Sequence, residues 1–306
     1  MSATEIPSWE GKVTLADGYE RFVKRYGEGP QAIVCQNGGP GADLHFYEPL
    51  RAMVDEEIQI VLYDQLDSGK SDRSGREELW TPEFFAGEFE ALVAELGLGR
   101  VHLLGQSWGG MLALECALRT PQLIKSLMLC NTLADTQECA RGMRELVAEA
   151  SAGAQRAVAE NREFDPADDS PEGRGLLELY ASHLRRGRPP FDLDRSCREF
   201  VEEIAPEFGE LGPTYYYMWG NSEFAPTGPL LEWSVADRLG EIGIPALVVC
   251  GRFDEVRPSC SQTIAEGLAD ARWLILGQSS HMVFHEVEKD VLMAALRGFV
   301  LENAGR

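Results

Sequence analysis

Short apolar runs recur along the chain, and their order predicts the fold class. Gln31–Gln36, Glu57–Tyr63, Val101–Leu104, Leu123–Cys130, Ala246–Cys250 and Arg272–Leu276 are too short for helices, are rich in Val, Ile and Leu, and are each followed by glycine, aspartate or asparagine. Such runs read as strands covered on both faces. Between them lie segments with apolar residues at helical spacing. Residues Thr81 to Leu96 form one, with Thr81 as N-cap and Pro82 at the first helical position. Met111–Leu118 and Asp290–Glu302 are two more. Near the start, Gly11–Leu15 and Tyr19–Tyr26 flank the turn signal Ala16-Asp17-Gly18, which predicts a hairpin at a sheet edge. Strands alternating with helices imply an α/β protein whose largely parallel sheet has helices on both faces.

The rhythm changes between residues 131 and 233. Buried strands vanish and amphipathic helices are expected over Thr136 to Glu160, Gly175 to Arg186 and Asp194 to Ile204. The proline- and acid-bearing stretches Phe164–Pro171 and Gly187–Pro190 separate them. This divides the chain into a core domain, 1–130 with 234–306, and an inserted helical cap domain, 131–233, that would roof a site on the core.

Composition narrows the function. With 44% hydrophobic and 25% charged residues, the 306-residue chain is of ordinary globular make-up. A formal charge of -22 repels a phosphate backbone, so nucleic acid is not an expected partner; a cationic substrate would be favoured, but on charge alone the preferred reading is that the surface carboxylates maintain solubility or reflect a saline or high-GC source. The N-terminal residues 1–7 lack a basic stretch followed by an apolar one, and no apolar run reaches membrane-spanning length. A cytoplasmic protein without a membrane partner is the expectation. Its seven cysteines are odd in number, scattered and without metal-ligand spacing, so reduced thiols are expected, and neither a metal nor a cofactor. Oligomeric state is left open.

The chemistry centres on Gly105-Gln106-Ser107-Trp108-Gly109, which ends the run Val101–Leu104 and opens a helix. A Gly-x-Ser-x-Gly turn between strand and helix is a nucleophile elbow, lifting the Ser107 hydroxyl clear of the sheet. The NH of Trp108 then sits at a helix N-terminus, ready to stabilise an oxyanion. Asn37-Gly38-Gly39-Pro40-Gly41 follows the third strand, where the second oxyanion donor is expected, and the NH of Gly39 is the choice. A serine needs a base, and the base a carboxylate. Asp254 directly follows the strand Ala246–Cys250, a placement that Asp237 and Asp270 lack. Only His281 and His285 come later than Asp254, and the short loop Gly277–Ser280 presents His281. The catalytic set is therefore Ser107, His281 and Asp254. His45 and His183 are read as non-catalytic, and His102, on its strand, as packed. Asp64 and Asp67, in the turn after the fourth strand, are read as structural.

Beyond the triad, the chain resembles the proline iminopeptidase family, serine aminopeptidases of the α/β-hydrolase fold. The resemblance rests on Asn37–Gly41, Asp64-Gln65 with Gly69 and Ser71, Gly105–Gly110, Met218–Phe224, Gly251–Val256 and Ser280–Met282. It implies an α/β-hydrolase core with an inserted cap, and hydrolysis of the amide bond after an unblocked N-terminal amino acid. By position it also implies that Glu223 and Glu255 hold the substrate's free α-amino group. An ammonium shielded from water needs anionic partners. One departure stands out: the family loop usually begins with histidine, where this chain has Asn37. The aromatic run Tyr215-Tyr216-Tyr217 with Trp219 fits either a substrate pocket or core packing. The substrate could be a peptide, a simple amide or an aminoacylated small molecule. Two other readings are a general carboxylesterase with the same triad, and a non-catalytic binding protein of the same fold.

Overall fold

The structure, a computed structural model, describes residues 7–204 and 212–306. The N-terminal residues 1–6, read above as carrying no leader pattern, lie outside the described residues. Strands β1 (Trp9–Thr14) and β2 (Glu20–Tyr26) form the expected hairpin, with β1 at the sheet edge. β3 (Gln31–Gln36), β4 (Ile58–Tyr63), β5 (Val101–Gln106), β6 (Ile124–Cys130), β7 (Ala246–Gly251) and β8 (Ala271–Leu276) follow. The order across the sheet is β1-β2-β4-β3-β5-β6-β7-β8, antiparallel for its first two pairings and parallel from β4 onward. The crossover to β3 and β5 puts the carboxyl ends of three central strands side by side. In open α/β sheets, ligand sites form at such ends.

Helix α1 (Pro82–Glu95) starts as the sequence predicts, Thr81 accepting the Phe84 NH at 3.2 Å, and α2 (Trp108–Arg119) follows the elbow. Both pack on one face of the sheet: Phe89, Leu92 and Leu114 join Val34, Val61, Leu103 and Val248 in one buried layer. The other face carries Ile33, Ile60, Leu62, Leu104 and Val249. It is covered by the 3-10 segment Leu44–Met53 and by α9 (Lys289–Glu302). Adjacent strand residues thus face opposite layers, which explains their unbroken hydrophobicity. Helix α8 (Pro258–Gly267) lies between β7 and β8 in the chain.

Between β6 and β7 the described residues form helices and no strand of the sheet. Two details differ from the expectation. The helix expected over Thr136–Glu160 is two, α3 (Thr136–Glu149) and α4 (Ala152–Ala159), because the Ser151 hydroxyl accepts the Ala154 NH and begins a new helix. Second, α5 (Pro171–Leu179) starts within the supposed breaker: Ser170 caps it and Pro171 occupies its first position. It runs into a π-helical turn, Tyr180–Leu184. α6 (Leu193–Glu199) and α7 (Pro213–Met218) complete the insertion. A third apolar cluster, with Trp108 and Val256 from the sheet side and Met143, Tyr215, Met218 and Trp219 from the insertion, joins the two parts. Among the described residues no helix is long and apolar enough to cross a membrane.

Candidate active site

Ser107 follows β5 with φ 55° and ψ −125°, a strained backbone for a side-chain-bearing residue. Close packing enforces it. A Cβ on Gly109 would stand 1.9 Å from the Gln36 carbonyl oxygen, and one on Gly105 would stand 2.1 Å from that of Gly109. Glycine at both positions lets α2 press against β3 and β5. The turn is pinned on all sides: the Ser107 NH donates to the Cys130 carbonyl at 3.1 Å, and its own carbonyl accepts from Gly110 NH at 2.8 Å and Thr132 Oγ1 at 2.7 Å. Trp108 is the first residue of α2, so its NH is among the donors that a helix leaves unpaired. The glycine loop lies alongside. A Cβ on Gly38 would be 3.7 Å from the Ser107 Cβ, and Gly39 takes φ 104°, a conformation that side chains rarely allow. Asn37, the departure from the family loop, donates through Nδ2 to the Tyr63 carbonyl at 2.8 Å, while its Oδ1 is buried without a partner.

Asp254, beyond the end of β7, is buried and fully engaged. Its Oδ1 accepts from Val256 NH at 2.9 Å and faces His281 Nδ1 at 2.7 Å; its Oδ2 accepts from Asn131 Nδ2 at 2.6 Å. With Nδ1–H committed to Asp254, Nε2 is the basic nitrogen of His281. Burial disfavours the charged ring, but Asp254, then Glu223 and Glu286, outweigh it and raise the His281 pKa. The main-chain NH of His281 donates to the carbonyls of His183 and Leu184 in the insertion, and its carbonyl accepts from Gln106 Nε2 at 3.3 Å. The histidine loop is thereby tied both to the insertion and to the residue preceding Ser107.

Glu255 is wholly buried; no N–H or O–H donor reaches either of its oxygens, and its carboxyl stands against that of Glu223, close enough for the pair to share a proton when one of them is protonated. Its Oε1 lies 3.6 Å from His281 Nδ1. Burial first, then the charges of Glu223 and Asp254, push its carboxyl well above the usual range. Glu223 follows α7 and accepts a short hydrogen bond from the Tyr215 hydroxyl; its own carboxyl is also raised, chiefly by burial. Trp219 Nε1 donates to the Glu223 carbonyl at 3.2 Å. Tyr215 and Trp219 are buried in the cluster that joins insertion to core, whereas Tyr217 is exposed and packs edge-on against Trp80. Two of these aromatics therefore pack in the core and hold Glu223. Asp254, Glu255 and His281 offer ligand atoms within 4.8 Å of one another. Because Asp254 Oδ1 and His281 Nδ1 are already spent on each other, the free acceptors of the set belong to Glu255. That suits a cation that donates hydrogen bonds better than a metal seeking several free ligands.

Of the other four histidines, His183 stands beside the site, its Nδ1 donating to the Phe253 carbonyl at 2.9 Å next to Asp254, and the other three lie elsewhere. His102 is buried against Ser126 and Gln31, His285 Nε2 donates to the Phe46 carbonyl, and His45 is exposed beside Asp43. Asp64 and Asp67 accept loop hydrogen bonds, from Leu44, Lys70, Ser74 and Trp80 among others. All seven cysteines are free thiols. Sequence reasoning missed Asn131, which has φ 48° at the end of β6 and bridges Asp254 Oδ2 to the Ser280 carbonyl. An asparagine at the tip of a central strand, where positive φ is tolerated, was the available signal.

Residues 31–181 match the family model described as alpha/beta hydrolase fold. The chain is 31% identical over 274 residues to a proline iminopeptidase of Clostridioides difficile, covering 88% of this chain and 89% of that one. It is 32% identical over 291 residues to a proline iminopeptidase of Lactiplantibacillus plantarum, covering 92% and 96%. The crystal structure of a proline iminopeptidase from Mycobacterium smegmatis superposes with a TM-score of 0.81 at 29% identity, over 97% of this chain and 99% of that one.

Proposed function

The chain belongs to the proline iminopeptidase family and is an α/β-hydrolase-fold serine hydrolase; from this premise we propose how its own residues release an unblocked amino acid from the amino end of a substrate. Ser107 Oγ attacks the carbonyl of the first residue while His281 Nε2 takes its proton. Asp254 fixes the imidazole and stabilises its charged form. The NH groups of Gly39 and Trp108 receive the oxyanion. His281 returns the proton to the departing nitrogen, and water repeats the sequence on the acyl-enzyme. Residues 131–233 act as a cap domain over the core formed by 1–130 and 234–306. The seven free thiols suit a cytoplasmic setting.

Specificity for a free α-amino group rests on one observation: a buried carboxyl pair, Glu255 beside Glu223, in which no N–H or O–H donor of the protein reaches the Glu255 oxygens, 3.6 Å from the imidazole. Leaving such a group unmatched is costly, and a substrate ammonium with three donors matches it. At an effective dielectric of about 20, one charge contact near 4 Å contributes roughly 4 kcal/mol before desolvation. This is enough to reject acylated amino termini.

The test is a panel of amino acid anilides, their N-acetyl forms and a simple acyl ester, assayed with wild type, Ser107→Ala, Glu223→Gln and Glu255→Gln. Turnover of the free-amine anilides is expected to depend on Ser107 and to fall in both glutamine variants. Equal turnover of all three substrate kinds would mark a general carboxylesterase instead. The same panel reports which amino acid is preferred, and varying the leaving group separates peptides from simple amides.

A further inference from the structure

A second buried carboxylate stands behind the histidine, and the mechanism above does not use it. Glu286 is 5% exposed and follows the short helical turn Val283–His285. Its Oε2 accepts from the Ser280 main-chain NH at 2.6 Å. Its Oε1 accepts from the Arg186 main-chain NH at 2.7 Å and takes a short bond from the Ser280 hydroxyl. Ser280 precedes His281, and Arg186 follows the π-helical turn of the insertion, whose His183 and Leu184 carbonyls receive the His281 NH.

We propose that Glu286 is a positioning residue, whose carboxylate straps the histidine loop at Ser280 to the insertion at Arg186 and so seats His281 only while the insertion is docked. Both oxygens act solely as acceptors, from two main-chain NH groups and a hydroxyl, so the ionised form satisfies every bond. An amide would have to turn its NH2 toward one of those NH groups, and a protonated carboxyl could place its proton only by reversing the bond from the Ser280 hydroxyl. The neighbouring Glu288 makes a useful contrast. It accepts from Gly277 NH at 3.1 Å, Gln278 NH at 2.7 Å and Ser279 Oγ at 2.8 Å, holding the same loop within the core. Of these two carboxylates, Glu286 is the one that bonds a residue of the insertion.

The electrostatics point the same way. Burial pushes the Glu286 carboxyl up to about 7, partly offset by Ser280, the Arg186 NH and the Arg185 guanidinium. The charged and titratable groups that it faces are His281 and Glu255 on the site side, and Arg185 and Arg186 on the insertion. Glu286 favours the imidazolium of His281. Removing its charge lowers the pKa of His281, and removing its bonds loosens the ring's placement.

The strap rests on the reading of His281 as the base for Ser107, so the experiment keeps the two separable. Ser107 is labelled with a fluorophosphonate, and the labelling rate is followed against pH in wild type, Glu286→Gln, Glu288→Gln and Ser280→Ala. In Glu286→Gln the plateau rate is expected to fall about 10-fold or more, and the acidic limb to move to lower pH by about half a unit. Glu288→Gln should leave the limb in place. Ser280→Ala removes the hydroxyl that donates to Glu286 and accepts from the Arg186 NH at 2.9 Å, while keeping the backbone bond, so it should slow labelling in the same direction by less. It also carries the test should Glu286→Gln fail to fold. A Glu286→Gln protein that labels like wild type at every pH, or one that is slower with its limb unmoved, overturns the strap. If Glu286→Gln does not fold, unchanged labelling of Ser280→Ala overturns it. A wild type that never labels removes the serine-hydrolase reading itself.

Discussion

Glu255 Oε1 lies 3.6 Å from Nδ1 of His281, the nitrogen that Asp254 holds at 2.7 Å. One imidazole edge thus meets two buried carboxylates, and Glu223 adds a third charge to the group. Three anions cannot ionise together without cost, and both glutamates have raised pKa values in the free enzyme, burial being the largest cause.

In the proposed amine-holding role of Glu223 and Glu255, this sets the pH dependence of substrate capture. The pair holds its protons more tightly than free carboxyls do, and an ammonium binds best when both are ionised, so over the pH range in which the pair keeps a proton, binding expels it. Affinity for a free-amine substrate should rise with pH through the raised carboxyl range, then fall as the amine itself deprotonates near about 8. The acidic limb of kcat/KM should also lie above the ordinary imidazole value, because the His281 pKa is raised and its neutral form is the base. Calorimetric titration of a non-hydrolysable amino acid analogue, in buffers of different ionisation heat, would read proton release directly. Glu255→Gln should abolish it.

The same burial sets a stability cost. A carboxyl whose folded pKa exceeds its unfolded value binds more protons in the native state, so stability falls as pH rises from the unfolded value toward the folded one. Glu255 contributes in this sense, as do Glu88 and Glu286, each pushed to about 7. Glu255→Gln removes one such contribution and should raise Tm by roughly 2–6 °C at pH 8, with a smaller gain at pH 5. Thermal unfolding at both pH values checks this. A variant less stable than wild type at pH 8 would contradict the account of Glu255 as a buried carboxyl whose ionisation costs stability.

How much of this was legible in the sequence depended on the range of the interaction. The elbow could be read because its constraints are local: Gly105, Ser107 and Gly109 lie within five residues, and the apolar run and helix flank them. Asp254 and His281 could be read because each follows a strand by a short loop. Asn131 could not, since its bond to Asp254 spans 123 positions and a strand-end asparagine resembles any turn residue. Glu286 was hidden for the same reason, its partner Arg186 being 100 positions away. The break at Ser151 escaped because helical apolar spacing continues across it, and only the capping hydroxyl marks the restart. Glu223 and Glu255 entered through the family resemblance, since nothing local distinguishes them from solvent-facing acids.

Asn131 offers a separable test of how Asp254 is held. Its amide donates to Asp254 Oδ2 at 2.6 Å and to the Ser280 carbonyl at 2.8 Å, joining the acid to the histidine loop. Asn131→Ala removes both bonds and also places a non-glycine, non-asparagine residue at φ 48°. Asn131→Gly removes the bonds while relaxing the backbone. Both should lower kcat by about 10- to 100-fold with little change in KM. If the glycine variant kept wild-type kcat, the backbone rather than the amide would be what matters.

The elbow glycines and a half-buried helical glycine with open space beside it should respond in opposite directions to the same substitution. On Gly109 an added methyl would stand 1.9 Å from the Gln36 carbonyl oxygen, a main-chain atom fixed in β3, so α2 would have to move away from the sheet. Overpacking of this kind costs about 1–3 kcal/mol and often more, and here it would also displace the Trp108 NH and the Ser107 hydroxyl. Gly109→Ala should therefore lower Tm and suppress serine labelling together. Gly87, inside α1, has nothing within 4 Å of the position an added Cβ would take. There the methyl only restricts the unfolded chain and favours the helix, and Gly87→Ala should stabilise by about 0.5–1 kcal/mol with activity unchanged. Equilibrium unfolding of the two variants side by side checks the pair. A Gly109→Ala protein as stable as wild type would show that α2 is not held against β3 as closely as the elbow requires.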